Sequence, residues 1–152
     1  MDATREGDGL DATFGLMANC LDTPIEALEL EYPLRVERYA LREGSGGAGC
    51  FRGGLGIARE VRFLTDRGSF TNRSDAQRSP APGVLGGGAG APSRHHLKHP
   101  DGRTTALPSK VTSMDISAGE VIVMETAGGG GYGRPTERDP DAVLADVLDG
   151  RI

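Results

Sequence analysis

Tryptophan is absent, aromatic residues make up 5% of the 152 positions, and the apolar share is 37%. An ordinary globular chain carries about 45–50%, glycine included. Side chains for a conventional core are therefore scarce, which predicts short strands and ordered loops completed by the surface of a partner. Disorder is the competing explanation, but the apolar residues fall in patterned runs with charges of both signs between them. Positive charge is not in excess: the formal net charge is −5, and no basic stripe with interleaved aromatics offsets it. Nucleic acid and anionic membrane surfaces are thus excluded as expected partners. No apolar run is long enough to span a bilayer, and the opening MDATREGDG is too polar and acidic for a secretion signal, so a cytoplasmic chain is expected. The two cysteines, Cys20 and Cys50, form neither a CxxC pair nor a disulfide framework, and free thiols in a reducing compartment follow.

What the chain has instead is glycine, 24 residues of it. Half of the stretch Ser45–Gly56 (SGGAGCFRGGLG) is glycine, with Arg52 as its one cation; the residues singled out there are Ser45, Gly46, Gly47, Arg52, Gly53 and Gly54. A second block, Gly128, Gly129, Gly130 and Gly131 followed by Tyr132, ends the most apolar run, and a third lies at 86–90. Glycine is useful where φ must be positive or where another backbone or a ligand comes close. The blocks are therefore read as shaped loops that pack near one another, with an anion nest as a weaker alternative. Neither a P-loop nor a GxGxxG between strand and helix is present, which argues against nucleotide binding by this chain.

In chain order, residues 1–22 are expected as an extended segment lying on a partner, and residues 23–152 as one β-rich domain. Thr23, Pro24 and Glu26 suggest a capping box opening a helix near 24–30 that Pro33 closes. Leu34 to Leu41 reads as a strand. Its phase changes between Val36 and Tyr39, predicting a β-bulge at Glu37-Arg38 that keeps four apolar residues on the core side. Residues 56–64 return as the second arm of a hairpin, and 69–72 can form a further short strand. From 75 to 108, prolines and glycines predict a long ordered loop without a central strand. Lys110–Ile116 and Val121–Met124 are strands, and a terminal helix near 140–149 is capped by Asp139 and carries an apolar stripe of Val143, Leu144, Val147 and Leu148. The fold class is mainly β with long ordered Gly/Pro loops and two helices.

Candidate chemistry is sparse. His95, His96 and His99 (HHLKH) lack the glutamate of HExxH, and Pro92 and Pro100 argue against the helix that would align them, so an exposed, solvated cluster is expected and no metal site is assigned. Ser45 has no nucleophile elbow. Lys110 is read as a solvated edge-strand residue, with an interface anion as the alternative.

Together the segments GLDATFGLMANCLDTPIEALELEYPLRVERYALR, SGGAGCFRGGLG, LPSK, ETAGGGGYGRP and ERDPDAVLADVLDG resemble the C-terminal part of the hydantoinase B and 5-oxoprolinase family, which includes large subunits of acetone carboxylase. The chain resembles that region carried as a separate small subunit, as in acetophenone carboxylase. The resemblance implies a structural role in an ATP-dependent ketone carboxylase, turning ketone, bicarbonate and ATP into a β-keto acid. It implies, as the alternative to that first reading, an accessory role in ATP-dependent hydrolysis of cyclic amides such as hydantoins or 5-oxoproline. A non-catalytic binding module is the third possibility. The implied partners are a hydantoinase B-like large subunit and hydantoinase A-like ATP-binding subunits, which would hold the ATP and a divalent metal, with no cofactor on this chain. The glycine loops, Arg52 and Tyr132 are expected to face the large subunit, Arg52 pairing there with a buried carboxylate. Where the family pattern has HMTNT, this chain reads Leu16-Met17-Ala18-Asn19-Cys20; Asn19 is the retained polar residue, and the role of the missing histidine does not transfer.

Overall fold

The structure, a computed structural model, describes residues 1–13 and 22–152. Asn19 and Cys20 lie outside the described residues. Alternating apolar side chains build β1 (Leu34–Leu41) and β2 (Ile57–Phe63), which pair antiparallel from Leu34↔Phe63 to Leu41↔Ile57 as a long hairpin closed by the glycine loop. The register shifts between Val36 and Arg38, so the bulge sits where the phase change predicts it. It does keep Leu34, Val36, Tyr39 and Leu41 on one face, but β1 is an edge strand, and Tyr39 and Leu41 remain 46% and 43% exposed. Sharing a face was legible in the sequence; burial of all four was not, because an edge strand has a neighbour on one side only.

Five strands form the main sheet in the order β1-β2-β7-β4-β5, with β4 at Arg94–Lys98, β5 at Thr104–Ala106 and β7 at Val121–Glu125. This corrects the expectation of an unbroken loop from 75 to 108. Pro92 and Pro100 bracket β4 without entering it, and β4 is an inner strand paired with both β7 and β5. A second sheet joins β3 (Gly68–Arg73) to β6 (Lys110–Ile116). The apolar core is a small cluster of Leu97, Leu107, Ile116 and Ile122, against which Phe63, Phe70, Met114 and Met124 pack.

Helix α1 (Ile25–Glu31) begins after Pro24 with no side-chain cap, so the Thr23–Glu26 capping box does not form. The cap falls one residue later than predicted, on a proline that has no side-chain acceptor to offer. Helix α2 (Pro140–Leu148) starts as expected, the Asp139 carboxylate accepting from the Asp141 N–H at 3.0 Å. Gly150 ends it at φ +65°, a conformation that favours glycine. The helix is inverted with respect to its apolar stripe: its buried residue is Asp146, while Val143, Leu144, Val147 and Leu148 are 37–77% exposed.

Candidate functional site

Ser45–Gly56, the loop 83–90 and Gly128–Tyr132 converge into a single junction, joined by residues 1–12. Gly47 N–H donates to the Gly129 carbonyl (2.8 Å), Gly129 to Gly54 (2.9 Å), Gly53 to Gly47 (2.9 Å) and Gly131 to Gly88 (2.9 Å). Phe51 and Tyr132 exchange two backbone hydrogen bonds of 3.0 Å. Residues 1–12, part of the segment 1–22 expected to lie on a partner, pack on these loops of their own chain: Ala3 donates to the Gly130 carbonyl, Gly9 to that of Arg52, and the Asp2 carboxylate accepts from Gly130 N–H at 2.7 Å. Glycine is required because backbone lies directly on backbone. A Cβ on Gly128 would strike the Ser45 carbonyl, and one on Gly53 the carbonyl of Gly129, both well inside van der Waals contact. The junction is thus a core made of main chain, which is how a chain poor in apolar residues fills its interior.

Ser45, 1% exposed, pins the loop from inside: its hydroxyl donates to the Arg42 carbonyl at 2.6 Å and accepts from Gly56 N–H at 2.9 Å. Arg52 is 5% exposed and is held within the chain through its Nε and Nη1 groups. It reaches Asp11 at 3.2 Å, Asp146 at 3.3 Å and the Gly53 carbonyl at 2.7 Å. The sequence reading aimed Arg52 at a carboxylate on a partner; the structure supplies both carboxylates from this chain's own two ends. Arg138 continues the network, donating to Asp8 at 2.7 Å and to Asp146 at 2.7 Å, and Arg151 pairs with Asp11. Arg138 holds the Asp8 carboxyl below its ordinary value; burial opposes this, and the Arg52 N–H reinforces it. Burial would raise the Asp11 carboxyl, but the Leu55 N–H and the Arg52 guanidinium outweigh it and leave it lowered. The Asp8 and Asp146 carboxylates in turn keep Arg138 protonated more firmly than usual, against the effect of its burial. Asp8, Asp11, Asp146, Arg138 and Arg151 were not singled out from the sequence. They come from opposite ends of the chain, and no local spacing signals such a cluster.

The chemistry open to this junction is limited. The N–H groups of Gly47, Gly53, Gly54, Gly128, Gly129, Gly130 and Gly131 are all donated to acceptors within the chain, so these seven are not free to cradle a phosphate. Among the described residues, no three of His, Cys, Asp and Glu gather as metal ligands. Tyr132 takes part through its backbone, bridging Phe51 and Val84. Lys110 is exposed and pairs with Asp75. The histidines correct the expectation of a solvated cluster. His95 is 9% exposed on inner strand β4, and its Nδ1 has no hydrogen-bond partner among the described residues; burial lowers its pKa. His99 sits at 2.7 Å from Glu120 and 2.8 Å from Thr105, tying the β4–β5 turn to the β6–β7 turn. Cys50 is a free thiol, half-buried near the Glu137 carbonyl.

A two-sheet β fold stitched by glycine loops and closed by the chain's own ends defines a structural module. Its overall shape is found in the nucleotide-free structure of an acetone carboxylase, with a TM-score of 0.84 at 22% identity over 97% of this chain and 24% of that one. It is found again in the ATP-dependent caprolactamase of Pseudomonas jessenii, with a TM-score of 0.67 at 34% identity over 84% of this chain and 23% of the other. A protein described as a putative D-/L-hydantoinase B subunit, from Pseudomonas sp. (strain NS671), is 41% identical over 95% of this chain. The chain spans about a quarter of the length of that relative. The family model for hydantoinase B/oxoprolinase matches residues 1–135. The chain belongs to the hydantoinase B/oxoprolinase family. Among the described residues, no helix is long and apolar enough to cross a membrane.

Proposed function

We propose that this chain is a non-catalytic structural subunit of a cytoplasmic ATP-dependent enzyme complex of its family, and that the complex opens a cyclic amide. The inward-turned junction carries the structural half of the reading. Seven of the glycine N–H groups and the Nε and Nη1 groups of Arg52, which are well suited to binding a substrate, are occupied by the chain itself. Such a module serves by completing a hydantoinase B-like large subunit, while hydantoinase A-like subunits hold ATP and a divalent metal. The cyclic-amide half is supported by sequence: the hydantoinase relative at 41% and the caprolactamase at 34% identity stand nearer than the acetone carboxylase at 22%, whose likeness is one of fold. This reverses the order of the two readings taken from the sequence alone. Ketone carboxylation, acetophenone carboxylase-like, is retained as the second reading because the acetone carboxylase fold covers 97% of the chain.

Co-expression with the large and ATP-binding chains of the same source tests both halves. The expected outcome is a co-purifying complex that hydrolyses hydantoin, caprolactam or 5-oxoproline with consumption of ATP. Incorporation of labelled bicarbonate into acetophenone or acetone would establish the second reading. A chain that fails to co-purify would sink the subunit role, and an intact complex without either activity would point to the non-catalytic binding module.

A further inference from the structure

A surface helix normally buries its apolar stripe and shows water its charges. Helix α2 does the reverse. Val143, Leu144, Val147 and Leu148 are 37%, 56%, 54% and 77% exposed, and Ile152, four residues beyond Leu148, is 49% exposed. The helix is not free to roll them inward. Asp146 holds its other face through Arg52 at 3.3 Å and Arg138 at 2.7 Å, and the Arg151 N–H donates to the Asp146 carbonyl at 2.8 Å. The stripe is therefore presented rigidly, with Leu144, Val147 and Leu148 at i, i+3 and i+4, a spacing by which an amphipathic helix enters an apolar groove.

Charge and size select the occupant. The stripe is flanked by exposed Glu137, Asp139 and Asp141, Asp149 at its end is paired with Arg151 at 3.2 Å, the last turn carries no basic residue, and the whole chain bears a net charge of −5. A second copy would bring acidic rims together, which is unfavourable, whereas a basic rim would complement them. The chain also spans 24% of the length of its hydantoinase relative, which leaves about three quarters of that architecture to neighbour it. We propose that the outward face of α2 docks into an apolar groove with a basic rim on a hydantoinase B-like large polypeptide. This rests on the subunit reading above and specifies the surface it uses.

The test titrates the full chain against the large polypeptide of the same source, with a Leu144→Asp/Leu148→Asp double variant and a separate Asp141→Lys variant. The double variant keeps the circular dichroism of the parent, because both side chains are exposed, and binds about tenfold more weakly or worse, as expected for central apolar anchors. Asp141→Lys also weakens binding, and wild-type affinity falls as salt is raised. If the large polypeptide binds wild type and double variant equally, the docking face is wrong while the subunit reading stands. If it does not bind wild type at all, both fall. If the isolated chain self-associates and the double variant abolishes that, the occupant is a second copy and the proposal is overturned.

Discussion

At Gly128 the missing side chain is the structure: its α-carbon rests on the Ser45 carbonyl, so a single methyl group has nowhere to go. Gly128→Ala should destabilise the chain by about 3 kcal/mol, the upper part of the usual overpacking range, because backbone on both sides cannot shift aside. Gly7 is the control. Nothing lies within 4 Å of its would-be Cβ and its φ is not positive, so Gly7→Ala should fall within about 0.5 kcal/mol of the parent in urea denaturation. Titratable residues divide the acid response into two windows. Burial depresses His95 below its ordinary value of 6.5, so the unfolded chain binds the extra proton. The contribution of His95 is complete above pH 6.5 and is lost as pH falls through its lowered value. Asp8 and Asp11 are lowered from 3.8, and their contribution is complete above 3.8 and lost further down. His95→Leu should flatten the stability profile just below pH 6.5 and leave the lower window intact. Asp8→Asn should do the opposite, with both profiles read from denaturation midpoints at successive pH values.

Helix α2 separates what periodicity reports from what packing uses. Its apolar stripe, its Asp139 cap and its Gly150 stop were all legible, and all are present. Which face turns inward was not, since that depends on Arg52 arriving from 94 residues away to join Arg138 at Asp146. The consequence is an inverted mutational pattern. Asp146→Ala leaves Arg52 and Arg138 short of a carboxylate and should cost about 3–5 kcal/mol, the typical penalty for breaking a buried ion pair. Leu148→Ser, which would be damaging on an ordinary amphipathic helix, should stay within about 0.5 kcal/mol in the isolated chain. Strand β4 gives the complementary case. The prolines around it were read as excluding a central strand, yet they stand outside its ends, and five residues suffice once β7 and β5 lie on either side.

Taken whole, the molecule has two interiors of different material: the apolar cluster between the sheets and the main-chain junction of the glycine loops. The junction draws on residues 1–12, 45–56, 83–91 and 128–133, so opening it requires separating both ends of the chain from the loops at once. Native-state hydrogen exchange should therefore find the amides of Gly47, Gly53, Gly129 and Gly131 as slow as those of β7, exchanging only through global opening. Fast exchange there, with β7 protected, would show that the glycine loops are draped on the sheet without forming a core.

The bulge at Glu37, the strand from Lys110 to Ile116 and both ends of α2 were determined by the sequence alone, because each depends on side-chain period or on proline, glycine and capping residues within a few positions; β4, β5 and the cap of α1 were not. The resemblance to the hydantoinase B family was equally legible, being carried by short motifs in a fixed order. Only the tertiary structure decided that Arg52 pairs with carboxylates of its own chain, that residues 1–12 belong to the glycine junction, and that α2 faces its apolar stripe outward. Each of these rests on contacts between segments 41 to 130 residues apart. Local patterning carries no record of such contacts, since a buried charge or a close-packed glycine is defined by what meets it and not by its neighbours along the chain.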